Sequence, residues 1–282
     1  MMNILNRVLV PVDFSEQSLQ MFECISHLCV KDNHGMVILH VLGRGETITS
    51  AQRERIDEML ESVREMGIDA RFMIEEGNPV ESILQIAERE AITMIAMASS
   101  GKGMAKEFIV GSTSLGVIRD SSIPVFIDKC EVMRDAGDTK VNRRYVDHLK
   151  SAIIPLDFTT CNEPVLEVLE FLIGKGLKRA VLFHVVESSK YRLSDDDRFH
   201  QVKEDLKKIK EGVDARDCEV ITHVHFGNPV FNILEVSREF DSSLIVMGTH
   251  GKGLLHEMTL GSISEDVIRK TMVSLLIVPC KR

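Results

Sequence analysis

The stretch Met247-Gly248-Thr249-His250-Gly251, followed after nine intervening residues by Gly261-Ser262-Ile263-Ser264, decides how this chain is read. The run that leads into it, Ser243-Leu244-Ile245-Val246-Met247, is short, apolar and partly β-branched, as a buried strand requires. Glycines at a strand end let backbone N–H groups come close to an anion without a Cβ in the way. Gly261 and Ser262 then open a segment of helical character that reaches Lys270. Unpaired N–H groups and the dipole at a helix start favour negative charge, and Ser262 and Ser264 add hydroxyl donors. Strand, glycine loop and helix start describe a cradle for an anionic ligand, and a nucleotide is the ligand expected.

The chain carries this pattern twice. Met97-Ala98-Ser99-Ser100-Gly101 is followed, again after nine residues, by Gly111-Ser112-Thr113-Ser114, at a constant offset of 150. Gly77-Asn78-Pro79-Val80 returns as Gly227-Asn228-Pro229-Val230 at the same offset. Pro11-Val12-Asp13-Phe14 matches Pro155-Leu156-Asp157-Phe158, and His40-Val41 matches His184-Val185, both at 144. So long a repeat is a duplicated domain and not a solenoid unit.

Each copy alternates short apolar runs with helical patterns. In the first copy the patterns predict strands at 7–12, 36–42, 70–75, 92–97 and 123–127, with helices at 15–31, 50–66, 79–90 and 111–120. In the second they predict strands at 151–156, 179–186, 217–225, 243–248 and 274–279, with helices at 162–174, 195–211, 229–239 and 262–271. Pro79 and Pro229 fall where a first helical turn tolerates a missing N–H. The alternation implies an α/β fold: two doubly wound domains, each an open parallel sheet with helices on both faces. Domains are expected at 1–128 and 149–282. Residues 129–148 form the linker, which with Asp128 is charged and lacks apolar periodicity.

Composition narrows the function classes. A net charge of −9 argues against general nucleic-acid binding and against an anionic membrane surface as the main partner. No apolar run approaches the roughly 18–20 residues of a membrane span. The segment from Met1 to Arg7 leads into a strand rather than a signal-peptide core, so the expected location is cytoplasmic. The six cysteines (Cys24, Cys29, Cys130, Cys161, Cys218 and Cys280) show no CxxC spacing and are expected mostly as free, buried thiols.

The Pro-Val-Asp strand end, the His-Val second strand and the G-x-x-G-x9-G-[ST] loop resemble the universal stress protein family, once per repeat over nearly the whole chain. The resemblance implies a tandem universal stress protein built from two five-stranded parallel α/β domains. It also implies an adenine nucleotide ligand, ATP or AMP, with Mg2+ accompanying ATP. By position, Asp157 is similar to the aspartate that bonds the nucleoside, while Pro155, Leu156 and Val185 would line the base. Met247, Gly248, His250, Gly251, Gly261, Ser262, Ile263 and Ser264 match the phosphate segment. The first copy offers Pro11, Val12, Asp13, Val41, Met97, Gly101, Gly111, Ser112, Thr113 and Ser114, but Ala98 replaces the first glycine and Ser100 stands for His250. The added methyl is expected to narrow that pocket or to disallow a positive φ. The family homodimer implies an intrachain pseudo-dimer through the final strands, a possible further homodimer and an unidentified protein partner.

Asp13 and Asp157 suit either a ligand or a helix N-cap, with Ser15, Thr159 and Thr160 competing for the cap. The His223-Val224-His225 alternation puts both imidazoles on one strand face with Cys218 nearby; surface histidines are preferred over a metal site, and no metal is assigned. His40 and His184 read as packing residues. No Walker lysine pattern, G-x-S-x-G or H-E-x-x-H motif occurs, and Lys252 lies outside a P-loop framework. No catalytic residue is assigned: the expectation is a sensor or signalling module, with a slow ATPase and an interaction scaffold with vestigial sites as alternatives.

Overall fold

A computed structural model describes residues 3–30, 35–99, 110–129, 147–187, 195–249 and 260–280. The chain divides into two compact units, one spanning Asn3–Tyr145 and the other starting at Val146.

In the first unit the order is β1 (Arg7–Pro11), α1 (Glu16–Cys29), β2 (Gly35–Leu42), α2 (Ser50–Glu65), β3 (Asp69–Glu76), α3 (Pro79–Arg89), β4 (Met94–Ala98), α4 (Ser112–Asp120) and β5 (Val125–Asp128). Its strands lie in the order β3-β2-β1-β4-β5, all parallel. The central strand is covered on both faces, so Val8, Leu9 and Val10 are fully buried and the sequence runs apolar without alternation. Right-handed crossovers put α1 and α2 on one face and α3 and α4 on the other; α3 and α4 pack together.

The second unit repeats this after a 3₁₀ turn at Asp147–Leu149: β6 (Ser151–Pro155), α5 (Asn162–Gly174), β7 (Arg179–Val186), α6 (Asp195–Gly212), β8 (Glu219–Phe226), α7 (Pro229–Glu239), β9 (Leu244–Gly248), α8 (Ser262–Lys270) and β10 (Ser274–Val278). Its order is β8-β7-β6-β9-β10, again all parallel. All ten expected strands and all eight expected helices are present, shifted at their ends by a residue or two. The charged run of α2 is a solvated face whose inner stripe is Ile56, Met59 and Val63.

The repeated Gly-Asn-Pro is a turn-and-cap device. Gly77 and Gly227 adopt φ of 143° and 119°, a region L side chains rarely enter. Asn78 and Asn228 cap α3 and α7, Asn78 accepting from the Val80 N–H at 2.9 Å and Asn228 from the Phe231 N–H at 2.9 Å. Pro79 and Pro229 occupy the first turn, as the sequence predicts.

The cysteines need a correction. Cys24, Cys29 and Cys218 are buried and outside any disulfide, but Cys161 and Cys280 form a disulfide across a sequence separation of 119. Spacing motifs cannot show such a pair. The sheet order creates it, because the loop after β6 and the chain after β10 both emerge beside the end of β9. Cys130 lies outside the described residues.

Candidate nucleotide site

In each unit the strand order reverses at one place. The chain moves outward from β6 to β7 and β8, then returns to the other side of β6 as β9. Open α/β sheets bind ligands in the crevice at the carboxyl ends of such a pair. Asp157 follows β6 and Gly248 ends β9, and these strands are hydrogen-bonded neighbours. Asp13 and Ala98 hold the same places after β1 and on β4. Two sequence-predicted groups, some ninety residues apart in each repeat, thus meet at one crevice.

Neither aspartate is a helix cap. Ser15 caps α1, accepting from the Ser18 N–H at 3.3 Å. α5 begins after Cys161 without a side-chain cap. Instead each aspartate braces its own turn. The Ser15 N–H and hydroxyl donate to Asp13 Oδ1 at 3.0 and 2.5 Å, and the Thr159 N–H and hydroxyl donate to Asp157 Oδ1 at 3.0 and 2.7 Å. Asn162, with its amide oriented to satisfy both neighbours, also donates to Asp157 Oδ1 (3.0 Å) and accepts from the Phe158 N–H (2.8 Å). All this falls on one oxygen. Asp157 Oδ2 is buried and has no hydrogen-bond partner among the described residues, a costly state for a carboxylate oxygen unless a ligand completes it.

Two residue pairs that the site reading omitted hold these turns. Phe14 and Phe158 take φ of 59° and 60°, unusual for a bulky residue and repeated at equivalent positions. Their rings pack on His40 and His184, with centroids 4.7 Å apart in both copies. His40 Nδ1 donates to the Val12 carbonyl at 2.7 Å and His184 Nδ1 to the Leu156 carbonyl at 2.6 Å. Both histidines are therefore packing residues, as expected, and they anchor the aspartate turn. The signal was available in the recurrence of Asp-Phe and His-Val at one offset.

The base-lining residues divide into two groups. Pro11, Pro155, Val41 and Val185 are half-buried, whereas Val12 and Leu156 are buried. The Leu156 N–H is bonded to the Phe183 carbonyl, so Leu156 supports the wall from behind. Met97 and Met247 are likewise buried.

At the helix starts, Gly111 and Gly261 occupy the N-cap positions of α4 and α8 with no side-chain cap. Each donates its own N–H to the loop ahead, Gly111 to Ser99 O (2.7 Å) and Gly261 to Thr249 O (2.9 Å). The next N–H groups, at 112–113 and 262–263, have no partner within the helix. Ser112, Ser262 and Ile263 are exposed there, and Thr113 is half-buried. Ser114 and Ser264 differ from expectation: their hydroxyls donate to Ala98 O (3.1 Å) and Gly248 O (3.0 Å). They tie helix to strand and offer no free proton to a ligand.

Ala98 and Gly248 both lie in extended strand, paired with Asp128 and Val278, and neither has a positive φ. The conformational objection to Ala98 therefore falls away and only its methyl volume remains. Ser100, Gly101, His250 and Gly251 lie outside the described residues.

The β8 histidines lie on an edge strand and are partly exposed. His223 and His225 are half-buried with Nε2 atoms 2.9 Å apart. Burial and the neighbouring His225 hold the His223 imidazole below the usual histidine range, against an opposing pull from Glu239. Cys218 is not grouped with them.

Comparison with known proteins agrees with this architecture. The universal stress protein MJ0577 of Methanocaldococcus jannaschii is 32% identical over 82 residues, which is 29% of this chain and 51% of that protein. The chain therefore spans about half the length of that relative. Universal stress protein YxiE of Bacillus subtilis is 28% identical over 145 residues, covering 43% of this chain and 97% of that protein. The crystal structure of a universal stress protein from Archaeoglobus fulgidus aligns with 98% of this chain and 99% of its own, at 27% identity and a TM-score of 0.71. The family model of universal stress proteins matches at residues 5–129 and again at 149–279. With both repeats matched and both showing the same strand order around the same aspartate, the chain belongs to the universal stress protein family and carries that domain in tandem.

Proposed function

We propose that this protein is a cytoplasmic, nucleotide-binding regulator of the stress response, which binds ATP or AMP in the crevice of its second repeat and signals occupancy to a protein partner. The observation that carries the reading is Asp157 Oδ2, a buried acceptor without a partner among the described residues, beside the strand-order reversal. A ribose hydroxyl or an adenine amino group supplies the proton this oxygen lacks. The uncapped N-terminus of α8 suits phosphate oxygens through its backbone N–H groups. Pro155 and Val185 are accessible enough to flank the base. With ATP bound, Mg2+ would neutralise phosphate charge. The residues described here bind and orient; the proposal assigns none of them to bond cleavage.

Calorimetry on the full chain with ATP, AMP and adenosine tests this. Asp157→Asn keeps an acceptor for Thr159 while converting the orphaned oxygen into a donor. It is expected to weaken all three ligands by about tenfold or more, the scale of one buried, charge-assisted hydrogen bond. No heat with any nucleotide on the unmodified protein would overturn the proposal.

A further inference from the structure

We propose that His223, His225 and Glu239 form a binding site for a divalent transition metal of the zinc class, separate from the nucleotide crevice and independent of the reading above. One ligand atom from each of the three lies within 4.8 Å of the others. The two imidazoles project from one side of β8, the edge strand of its unit's sheet, and Glu239 stands at the end of α7.

Hydrogen bonds fix the protonation that a metal needs. Asn232, buried on α7, gives its amide N–H groups to Phe226 O (3.2 Å) and Asn228 O (2.9 Å). Its Oδ1 is therefore an acceptor, and it faces His225 Nδ1 at 3.0 Å. That nitrogen must carry the proton, which leaves His225 Nε2 with a bare lone pair. A second-layer acceptor that fixes the tautomer and ring of a ligating histidine is the usual support of a zinc site. His223 Nε2, at 2.9 Å, is the partner that fills this lone pair when no ion does. Two nitrogens on one tetrahedral ion stand roughly 3.3 Å apart given bonds of about 2.0 Å, so a small rotation of His223 opens the place. Its single proton then moves to Nδ1. Two imidazoles and one carboxylate favour zinc-class ions over Mg2+ or Ca2+, which take oxygen ligands, and leave a fourth position for water.

The first repeat shows that these positions are not bound to this chemistry. At the offset of 150, Met73, Glu75, Ser82 and Arg89 replace His223, His225, Asn232 and Glu239. Arg89 pairs with Glu75 at 2.9 Å, so that copy supplies its own cation. In the second copy the arginine has become a carboxylate, and no Lys or Arg pairs with Glu239 among the described residues.

Titrating the full chain with Co2+ and with Zn2+ tests the site. One equivalent of Co2+ should give the visible absorption of a four-coordinate ion without a thiolate charge-transfer band, and Zn2+ should displace it. Glu239 is exposed, so Glu239→Gln leaves the fold intact; it and His223→Gln should each weaken Co2+ by at least about tenfold. Asn232→Asp, which keeps the acceptor, should retain the spectrum, while Asn232→Leu weakens binding by about tenfold. Absence of the absorption, or equal affinity in Glu239→Gln and the unmodified protein, overturns the site. Equal losses in Asn232→Asp and Asn232→Leu overturn the positioning role of Asn232.

Discussion

The two repeats share a scaffold and differ where chemistry is done. Both bring an aspartate turn, stiffened by a left-handed phenylalanine and a histidine–carbonyl bond, beside an uncapped helix start. After that they diverge. In the second, α5 starts two residues later than its counterpart α1, and Cys161, where the first repeat has Gln17, is bonded to Cys280. The strand that carries Met73 and Glu75 in one copy carries His223 and His225 in the other. Duplication kept the residues that fix turns and caps. It left free the positions whose side chains end in the crevice or on the sheet edge.

The largest expected effect separates the repeats by stability. The cross-link closes a loop of 119 residues, and removing it with Cys161→Ser and Cys280→Ser is expected to cost the second domain about 2–5 kcal/mol. Thermal unfolding followed with domain-specific probes should show the second domain shifted down and the first unchanged. Equal shifts in both, or none, would mean that the disulfide does not distinguish them.

A smaller effect concerns the cradle. Gly261 has φ −62° and ψ 142°, which any residue adopts, so Gly261→Val introduces no backbone strain. Its side chain blocks the phosphate approach, with an expected loss of about 100-fold in nucleotide affinity, equivalent to about 2.7 kcal/mol. Gly111→Val is the matched change in the first copy. Calorimetric stoichiometry then reports how many cradles are used, and an unchanged affinity in Gly261→Val would remove α8 from the site.

The smallest effect tests Ala98. Because it sits in regular strand, Ala98→Gly relieves no backbone strain and is expected to lower first-domain stability by about 0.5–1 kcal/mol. If the methyl narrows the pocket, the same variant raises occupancy of the first site. An unchanged stoichiometry would show that the methyl is not the obstacle.

Much of this was legible in the chain itself. The two periodicities placed every strand and helix, since each depends on neighbours within a few residues. Pro79 and Pro229 marked the first turns of α3 and α7 for the same reason. Asp157 and Gly261 were legible as site candidates because a repeat exposes which residues recur, here as Asp13 and Gly111. Other features needed the fold. That Asp157 Oδ1 is saturated while Oδ2 has no partner among the described residues follows from Thr159 and Asn162 closing on one oxygen. Ser264 counted as a ligand donor until the end of β9 supplied its acceptor.

The sequence by itself therefore determined the duplication, read from a recurring pattern, and the alternation of strands and helices with its helix-opening prolines, governed by short-range spacing. Tertiary structure alone decided which distant groups meet: Cys161 with Cys280, His225 with Asn232, Asp157 with the end of β9. The physical reason is the order of strands in the sheet. It sets which carboxyl ends and which loops are neighbours, and no local pattern encodes it.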